Sequence, residues 1–280
     1  MHIHQLNILP YKGKPIFQRS VVSHFDRVPK EYIENEACFV FINHGKISVR
    51  SADKVLYLDD NSGILAKCAP YFTEKQKVDF EQTTEAITIL LFADILEDLF
   101  HFTSLNSSYK LDYNENKIII DRQLQSFKES LLFLFDHPEL ADEEMIGTKL
   151  KEFVLIISKI ENAPSSLDFL SAVFKPTQIN FRKTVEQNIF SNLSLEQIAS
   201  LVNLSLSTFK RKFSEVFNDT PNHYINQKKI ERAIFKIQSS KESISQIAFD
   251  VGYDSLPTFN RNFKKVTGKS PTEFKLSQNA

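Results

Sequence analysis

The 280-residue sequence has no tryptophan, only two cysteines and no apolar run of membrane-spanning length. Its longest unbroken apolar run, ACFVFI at 37–42, is far shorter than the ~18 residues that a transmembrane helix needs. The first residues, MHIHQLNILPYKGK, lack the basic start and the apolar middle of a signal peptide. We therefore expect a cytoplasmic protein with no membrane partner.

The two cysteines, Cys38 and Cys68, are too few for a disulfide framework. Each lies in an apolar stretch, where a free thiol packs as a small hydrophobic side chain. We expect both to be core residues, and a redox-sensing pair is the alternative interpretation.

Several function classes leave no trace in the sequence. It has no nucleophile elbow, no phosphate-binding loop, no zinc-ligand spacing and no paired carboxylates on one helix. His44 stands alone among the predicted strands, and we interpret His2 and His4 as part of a disordered tail. The absence of tryptophan also disfavours an indole-stacking sugar site. We therefore expect no catalytic residues, no metal and no cofactor.

The charge is divided unequally along the chain. Residues 176–280 carry 15 lysines and arginines against 9 aspartates and glutamates, a net charge of +6, whereas residues 1–175 carry 19 against 26, a net charge of −7. An acidic part followed by a basic part suggests two domains with different partners, the basic one facing a polyanion.

Short apolar stretches separated by turn residues fill residues 16–92. The stretches ACFVFI, ISVR, VLYL, ILAKC and AITILLF, with glycine, asparagine and aspartate between them, predict an antiparallel β-barrel or sandwich. The apolar spacing then becomes helical at 122–135 and 146–160, with His137 and Pro138 between the two helices.

The second of these helices has apolar residues beyond one stripe, because Val154, Leu155 and Ile156 interrupt its polar face. We expect either ordinary core packing or a homodimer interface through the helices at about 122–160.

The polar stretch ENAPSSLD at 161–168 is the expected boundary between the domains. The predicted fold class is therefore α+β with two domains. The first, at 1–165, is an antiparallel barrel or sandwich with two or more helices. The second, at 170–280, is all-helical.

The second domain contains an internal repeat. Four positions recur at an offset of 49: Leu195/Ile244, Ile198/Ile247, Ala199/Ala248 and Val202/Val251. After one inserted residue, six more recur at an offset of 50: Phe209/Phe259, Arg211/Arg261, Phe213/Phe263, Val216/Val266, Thr220/Ser270 and Pro221/Pro271. Each copy is interpreted as a helix-turn-helix, at about 193–214 and about 243–266.

The turn of each copy holds Asn203 or Gly252, residue types that tolerate a left-handed backbone at low cost. Ser205 is the expected N-cap of the helix that follows in the first copy, and either Asp254 or Ser255 in the second.

The second helix of each copy has one apolar and one polar face. The apolar face, which we expect to be buried, consists of Phe209, Phe213, Val216 and Phe217, and of Phe259, Phe263 and Val266. The opposite face carries Ser207, Lys210, Arg211 and Ser214, and Pro257, Asn260, Arg261 and Lys264. An arginine on a face of short polar residues fits a helix in the major groove of DNA, where arginine pairs bidentately with guanine. The alternative is a helical domain with a solvated basic face.

A linker helix is predicted at about 221–239, where apolar residues keep helical spacing after Pro221. Its length, ~28 Å at 1.5 Å per residue, compares with the ~34 Å between successive major grooves. We expect phosphate contacts from Lys228, Lys229 and Arg232 of this helix, and from Lys264 and Lys265. An exposed basic face without DNA contacts is the alternative for the linker residues.

The last hundred residues, 176–276, resemble the AraC/XylS family of bacterial transcription regulators. The resemblance rests on IAFDVGYDSLPTFNRNFKKVTGKSP, which is similar to the signature of the family, and on IASLVNLSLSTFKRKF with TPNHYINQKKIERA, similar to its first motif and linker helix. It implies two helix-turn-helix units that contact promoter bases. By position the base contacts fall on Leu206, Ser207, Lys210 and Arg211, and on Leu256, Pro257, Thr258 and Arg261, to which the polar face adds Asn260.

The sequence departs from the family pattern at two positions. Asn218 replaces the usual glycine before the Thr220-Pro221 turn, and Lys229 stands where the linker often has arginine. The first domain of the family is often a cupin-like barrel followed by helices, and the order of predicted elements here is similar.

We therefore expect a DNA-binding transcription activator that works near RNA polymerase, with an N-terminal domain for sensing and dimerisation. The chain has 25 phenylalanines, and an aromatic-rich, apolar pocket in the N-terminal domain would suit a small hydrophobic effector. Two alternatives stay open: an N-terminal domain controlled by an anti-activator protein, and a cupin-type enzyme fused to a DNA-binding domain.

Overall fold

The computed structural model describes residues 2–23, 27–30, 35–67, 69–75, 83–102, 107–175 and 179–278. The chain divides into two compact units, Met1–Gln178 and Ile179–Ala280. The predicted limits, 1–165 and 170–280, place this division earlier. The difference lies in a helix at Ser166–Val173, whose Phe169, Leu170 and Val173 are buried in the core of the first unit.

The described strands of the first unit form two antiparallel sheets. The strands are β1 (His2–Tyr11), β2 (Lys14–Ser23), β3 (Arg27–Lys30), β4 (Glu36–His44), β5 (Ile47–Arg50), β6 (Val55–Leu58), β7 (Ser62–Ala66), β8 (Tyr71–Lys75), β9 (Thr84–Phe92) and β10 (Glu115–Ile119). One sheet has the order β1-β2-β9-β4-β7-β10 and the other the order β3-β8-β5-β6. The first unit is therefore an antiparallel sandwich, as the strand pattern predicts.

The unbroken apolar run 37–42 lies in β4, in the middle of the larger sheet. Ala37, Phe39 and Phe41 face a core shared with helices, whereas Cys38 and Ile42 face the second sheet. Because both faces of β4 are buried, the usual alternation of apolar and polar residues disappears.

Helices α1 (Ala93–Phe100), α2 (Arg122–Asp136), α3 (Glu143–Ile160) and α4 (Ser166–Val173) complete the first unit. Asp121 and Asp142 cap α2 and α3, each accepting a hydrogen bond from a backbone N–H three residues on. The Phe39 ring lies 5.3 Å from that of Phe153, which lies 5.6 Å from that of Phe127. Aromatic packing therefore holds α2 and α3 on the larger sheet.

One interpretation of the first half, that of the N-terminal histidines, needs correction. His2 and His4 lie in strand β1, and His4 Nε2 is 2.7 Å from Ser23 Oγ. Val154 and Ile156 are buried in the core of their own unit, so Leu155 alone of that trio is exposed, at 49%. The stripe that suggested a dimer is therefore mostly internal packing.

The described cysteine, Cys38, is buried, and its Sγ lies 3.5 Å from the Tyr71 hydroxyl. Cys68 lies outside the described residues. Over the described ranges, no three His, Cys, Asp or Glu side chains are grouped closely enough to hold a metal ion. Within the same parts of the chain, no helix combines the length and apolar character needed to cross a membrane.

The second unit is helical throughout its described residues. The helices are α5 (Phe181–Asn188), α6 (Leu195–Leu201), α7 (Leu206–Phe217), α8 (Pro221–Ser239), α9 (Ile244–Asp250), α10 (Leu256–Thr267) and α11 (Pro271–Gln278). Helices α6 and α7 form the first helix-turn-helix unit and α9 and α10 the second. Helix α8 spans the same residues as the predicted linker.

The two helix-turn-helix units have matching aromatic cores. The rings of Phe209 and Phe213 lie 5.8 Å apart, and those of Phe259 and Phe263 lie 5.5 Å apart. Each second phenylalanine meets a ring of the following helix edge-on. The Phe213–Tyr224 and Phe263–Phe274 distances are both 5.6 Å, at 72° and 75°. The sequence repeat is therefore a repeat of packing.

Candidate DNA interface

The turns of the two units have the same backbone path. Asn203 and Gly252 both adopt positive φ, at 53° and 87°. The turn closes in each unit with a 3.0 Å hydrogen bond, from Leu204 N to Ala199 O and from Tyr253 N to Ala248 O. The left-handed turn predicted at both positions is confirmed.

The caps of α7 and α10 differ. Ser205 Oγ accepts a hydrogen bond from Thr208 N at 3.3 Å. Ser255, rather than Asp254, is the N-cap residue of α10, and its side chain makes no backbone cap bond. Ser255 Oγ instead donates to Thr258 Oγ1 at 2.9 Å.

The residues predicted to contact bases fall into two groups. Those at the centre of the outer face are exposed: Ser207, Lys210, Arg211, Pro257, Asn260 and Arg261. Those at the start of each helix are half-buried: Leu206, Leu256 and Thr258. The exposed faces of α7 and α10 are therefore the surfaces that a partner can reach.

The apolar faces are buried at their centres, since Phe209, Phe213, Phe259 and Phe263 have no exposed surface. Val266 is different: it was predicted to be buried, but it is 47% exposed. It lies one turn beyond the last aromatic contact of α10, at the edge of a cleft between the two helix-turn-helix units.

The arginines of the outer faces, Arg211 and Arg261, are exposed. Among the described residues, neither Arg211 nor Arg261 has a hydrogen-bond or ion-pair partner. Lys264 and Lys265 are exposed in the last turn of α10. In α7, Glu215 occupies the position that corresponds to Lys265 of α10, so the second unit presents the more positive face.

Lys229, for which a phosphate contact is expected, is half-buried and its ammonium makes hydrogen bonds within the protein. Its Nζ donates to the backbone oxygens of Gly252 at 2.6 Å and Ser191 at 3.3 Å. Burial lowers the pKa of the Lys229 ammonium, and nearby Asp254 opposes this only in part. The side chain is therefore used within the protein.

The other linker cations remain accessible. Lys228 Nζ lies 2.8 Å from Glu231 Oε2, in an ion pair whose side chains are both more than 40% exposed. Arg232 is exposed and its guanidinium lies 4.3 Å from the centre of the Phe190 ring. Exposed pairs of this kind hold a lysine weakly, so both cations stay candidates for phosphate contacts.

A cleft of about 910 Å³, with both polar and apolar lining residues, lies between the two helix-turn-helix units. It is lined by the starts of α6 and α8 and by the side of α10. Four of its polar side chains are Asn222, Asn226, Asn262 and Lys265. The three asparagines were missed by the sequence reasoning, because helical periodicity places residues on faces but does not say which faces meet.

A second cavity, of about 490 Å³, lies between the two sheets of the first unit. Its lining is mainly aliphatic, with threonines from β8 and β9, and the described residues that line it include no phenylalanine. At its edge, Lys30 Nζ lies 2.7 Å from Glu36 Oε1. The phenylalanines of the first unit pack against the helices instead, so the phenylalanine count was not a guide to this cavity.

Two families match the chain. Residues 198–277 match the family described as a helix-turn-helix domain, and residues 37–169 match that described as the ExsA N-terminal regulatory domain.

Curated relatives match to different extents. The virulence regulon transcriptional activator VirF of Yersinia enterocolitica is 22% identical over 238 residues, which cover 84% of this chain and 87% of VirF. Histidine kinase P4 of Formosa agariphila is 25% identical over 221 residues, 72% of this chain but 16% of the kinase. A crystal structure of unsaturated fatty acid bound ToxT from Vibrio cholerae aligns with 93% of this chain and 95% of its own, at 16% identity and a TM-score of 0.38.

Proposed function

Because this chain belongs to the AraC/XylS family of bacterial transcription regulators, we propose that it activates promoters by placing α7 and α10 in successive major grooves of one DNA duplex. It is a DNA-binding regulator with a regulatory first domain, not an enzyme. We propose that it acts in the cytoplasm, where promoter DNA and RNA polymerase are found.

The observation that carries this proposal is the pair of arginines, Arg211 and Arg261, at equivalent exposed positions of a duplicated unit. Helix α8, with 19 residues, is ~28 Å long and separates the two units by less than one turn of DNA. This length is compatible with both faces meeting a single duplex.

The proposed contacts divide by their chemistry. Base contacts are assigned to the outer faces: Leu206, Ser207, Lys210, Arg211, Leu256, Pro257, Thr258, Asn260 and Arg261. Phosphate contacts, which give affinity but no sequence information, are assigned to Lys228, Arg232, Lys264 and Lys265. Lys265 also lines the cleft between the units, where the backbone that joins two grooves would pass.

Selection of bound duplexes from a random DNA pool tests this proposal. We expect an enriched site of two motifs whose centres lie about one helical turn, ~10 base pairs, apart. Enrichment of a single short motif, or of none, would contradict the use of two reading helices.

We further propose that the cavity between the sheets binds a small hydrophobic effector. The support is its volume of about 490 Å³ and its aliphatic lining. Native mass spectrometry of the purified chain should detect a bound small molecule, and Ala86→Phe, which fills the cavity from β9, should abolish that adduct. If the wild-type cavity stays empty while the chain captures one regulatory protein, control by an anti-activator is the better account.

Dimerisation through helices within about 122–160 is also proposed. The exposed apolar residues of this region are Phe133, Leu140, Met145 and Leu155. We expect Phe133→Glu to shift the chain from dimer to monomer in sedimentation velocity experiments, and an unchanged sedimentation coefficient would contradict this interface.

A further inference from the structure

One face of α8 holds three side chains that contact the second helix-turn-helix unit and the segment just before the first. Asn226, Lys229 and Arg232 follow one another at intervals of three residues, so they lie on the same side of the helix. Asn226 Oδ1 accepts a 2.6 Å hydrogen bond from the Tyr253 hydroxyl, and Arg232 stacks on Phe190. Together with Ser191 and Gly252 they form what is here called the linker junction.

Lys229 makes the central contact of the linker junction. Its ammonium donates one hydrogen bond to Ser191 O, before the first unit, and one to Gly252 O, in the turn of the second. It also lies 5.4 Å from the centre of the Tyr253 ring. Hydrogen bonds from a charged donor in a half-buried site are among the stronger ones in proteins, so this side chain ties the linker to the second unit and to the segment that leads into the first.

The backbone of the second unit also touches the segment before the first unit at the linker junction. A Cβ added to Gly252 would lie 2.6 Å from Phe190 O and 2.8 Å from Ser191 O. Such distances leave room for hydrogen only, so the second turn packs directly on the segment before α6. The close approach aligns the two carbonyl oxygens that Lys229 binds.

We propose that Lys229 is a positioning residue, which locks the two helix-turn-helix units in one relative orientation and so sets the spacing between the two DNA motifs that the protein accepts. This inference rests on the proposed function. Its physical basis is effective concentration: once one unit has bound, a rigid junction holds the other at its own motif, whereas a loose junction spreads it over other positions.

A fixed relative orientation of the two units should make binding sensitive to the length of the spacer, which is the number of base pairs between the two motifs. One inserted base pair moves the second motif by ~3.4 Å and rotates it by ~35° about the duplex axis. A locked pair of units cannot follow this change, whereas an unlocked pair follows it in part.

The experiment compares Lys229→Met with Lys229→Arg and the wild type. Methionine keeps the apolar stem but removes the hydrogen-bond donors, whereas arginine restores donors. The probes are duplexes selected with the wild-type chain, the same duplexes with one or two base pairs inserted or deleted between the motifs, and duplexes with one motif only.

We expect Lys229→Met to bind the full site about tenfold more weakly and a single motif within about twofold of the wild type. Its discrimination against altered spacers should fall by a similar factor, and Lys229→Arg should restore it. A merely structural loss would weaken all probes together.

Thermal melts monitored by circular dichroism accompany each variant. If Lys229→Met does not fold, Asn226→Ala, which removes the acceptor of the Tyr253 hydroxyl, is expected to show the same change of spacer preference at smaller size. A folded variant that keeps the sharp spacer preference of the wild type overturns the lock and leaves the proposed function intact. A wild-type chain that selects no DNA overturns both.

Discussion

The two helix-turn-helix units reach the same geometry with different residues. The left-handed positions of the first unit are Asn203 and Asn218, and those of the second are Gly252 and Gly268. Asparagine is therefore sufficient for the backbone itself, including the α7 C-cap, where the family usually has glycine. Glycine is required by contact only at 252, because the space around Gly268 is open. Of the two glycines, Gly252 alone thus marks a close contact, with the segment just before the first unit.

The units also differ in charge. Lys210 and Glu215 of the first unit correspond to Asn260 and Lys265 of the second. Both units have an arginine at the equivalent position, whereas the lysines around it occupy different positions. We therefore expect the arginine to contact a base in both units, and the phosphate contacts to come mainly from the second unit.

The largest predicted effect is a difference in stability between substitutions of Gly252 and of Gly268. Gly268→Ala should destabilise its unit by about 1 kcal/mol, the ordinary cost of a left-handed alanine. Gly252→Ala should cost about 3 kcal/mol, because the added Cβ also collides with backbone oxygens of residues 190 and 191. Hydrogen exchange of the α9 and α10 amides measures the stability of both variants. Equal losses of stability would show that the contact of Gly252 with residues 190 and 191 adds no cost.

The second effect separates the two reading faces. Arg211→Ala and Arg261→Ala should each lose about 1 to 3 kcal/mol of binding free energy and relax base preference in one motif only. Repeating the DNA selection with each variant measures this. Loss of preference in both motifs from either variant would contradict independent reading.

The third effect concerns salt. Lys265→Ala should reduce the slope of log K against log[salt] by about 0.9, whereas Glu215→Lys, which gives the first unit the corresponding charge, should increase it by a similar amount. Fluorescence anisotropy titrations at several salt concentrations provide the slopes. If neither substitution changes the slope, Lys265 does not contact a phosphate.

The smallest effect separates the two caps. Ser205→Ala removes a cap hydrogen bond and should destabilise α7 by about 1 kcal/mol. Ser255 makes no backbone cap bond, so Ser255→Ala should cost at most a few tenths of that amount. Hydrogen exchange of the first amides of α7 and α10 distinguishes the two, and a larger loss at α10 would contradict the cap assignment.

Features set by local chemistry could be predicted from the sequence. The left-handed turns, the Ser205 cap, the limits of α8 and the exposed arginines all follow from residue type and helical period. The sandwich follows in the same way from the spacing of short apolar stretches.

Features that depend on which surfaces meet could not be predicted. Lys229 looks like any exposed linker lysine until the backbone of residues 191 and 252 is placed beside it. Val266 has the period of a buried residue but lies past the end of the core, and Val154 and Ile156 look like a second stripe because α3 is buried over a wide arc. Strand β1 was not predicted, because its polar residues interrupt the apolar pattern that would indicate a strand paired with β2.

The most direct test of simultaneous binding by both units is methylation interference on a selected duplex, because methyl groups at guanine N7 block major-groove contacts. We expect two interfering clusters about one helical turn apart on the same side of the duplex, one lost in Arg211→Ala and the other in Arg261→Ala. A single cluster, or two on opposite sides of the duplex, would contradict it.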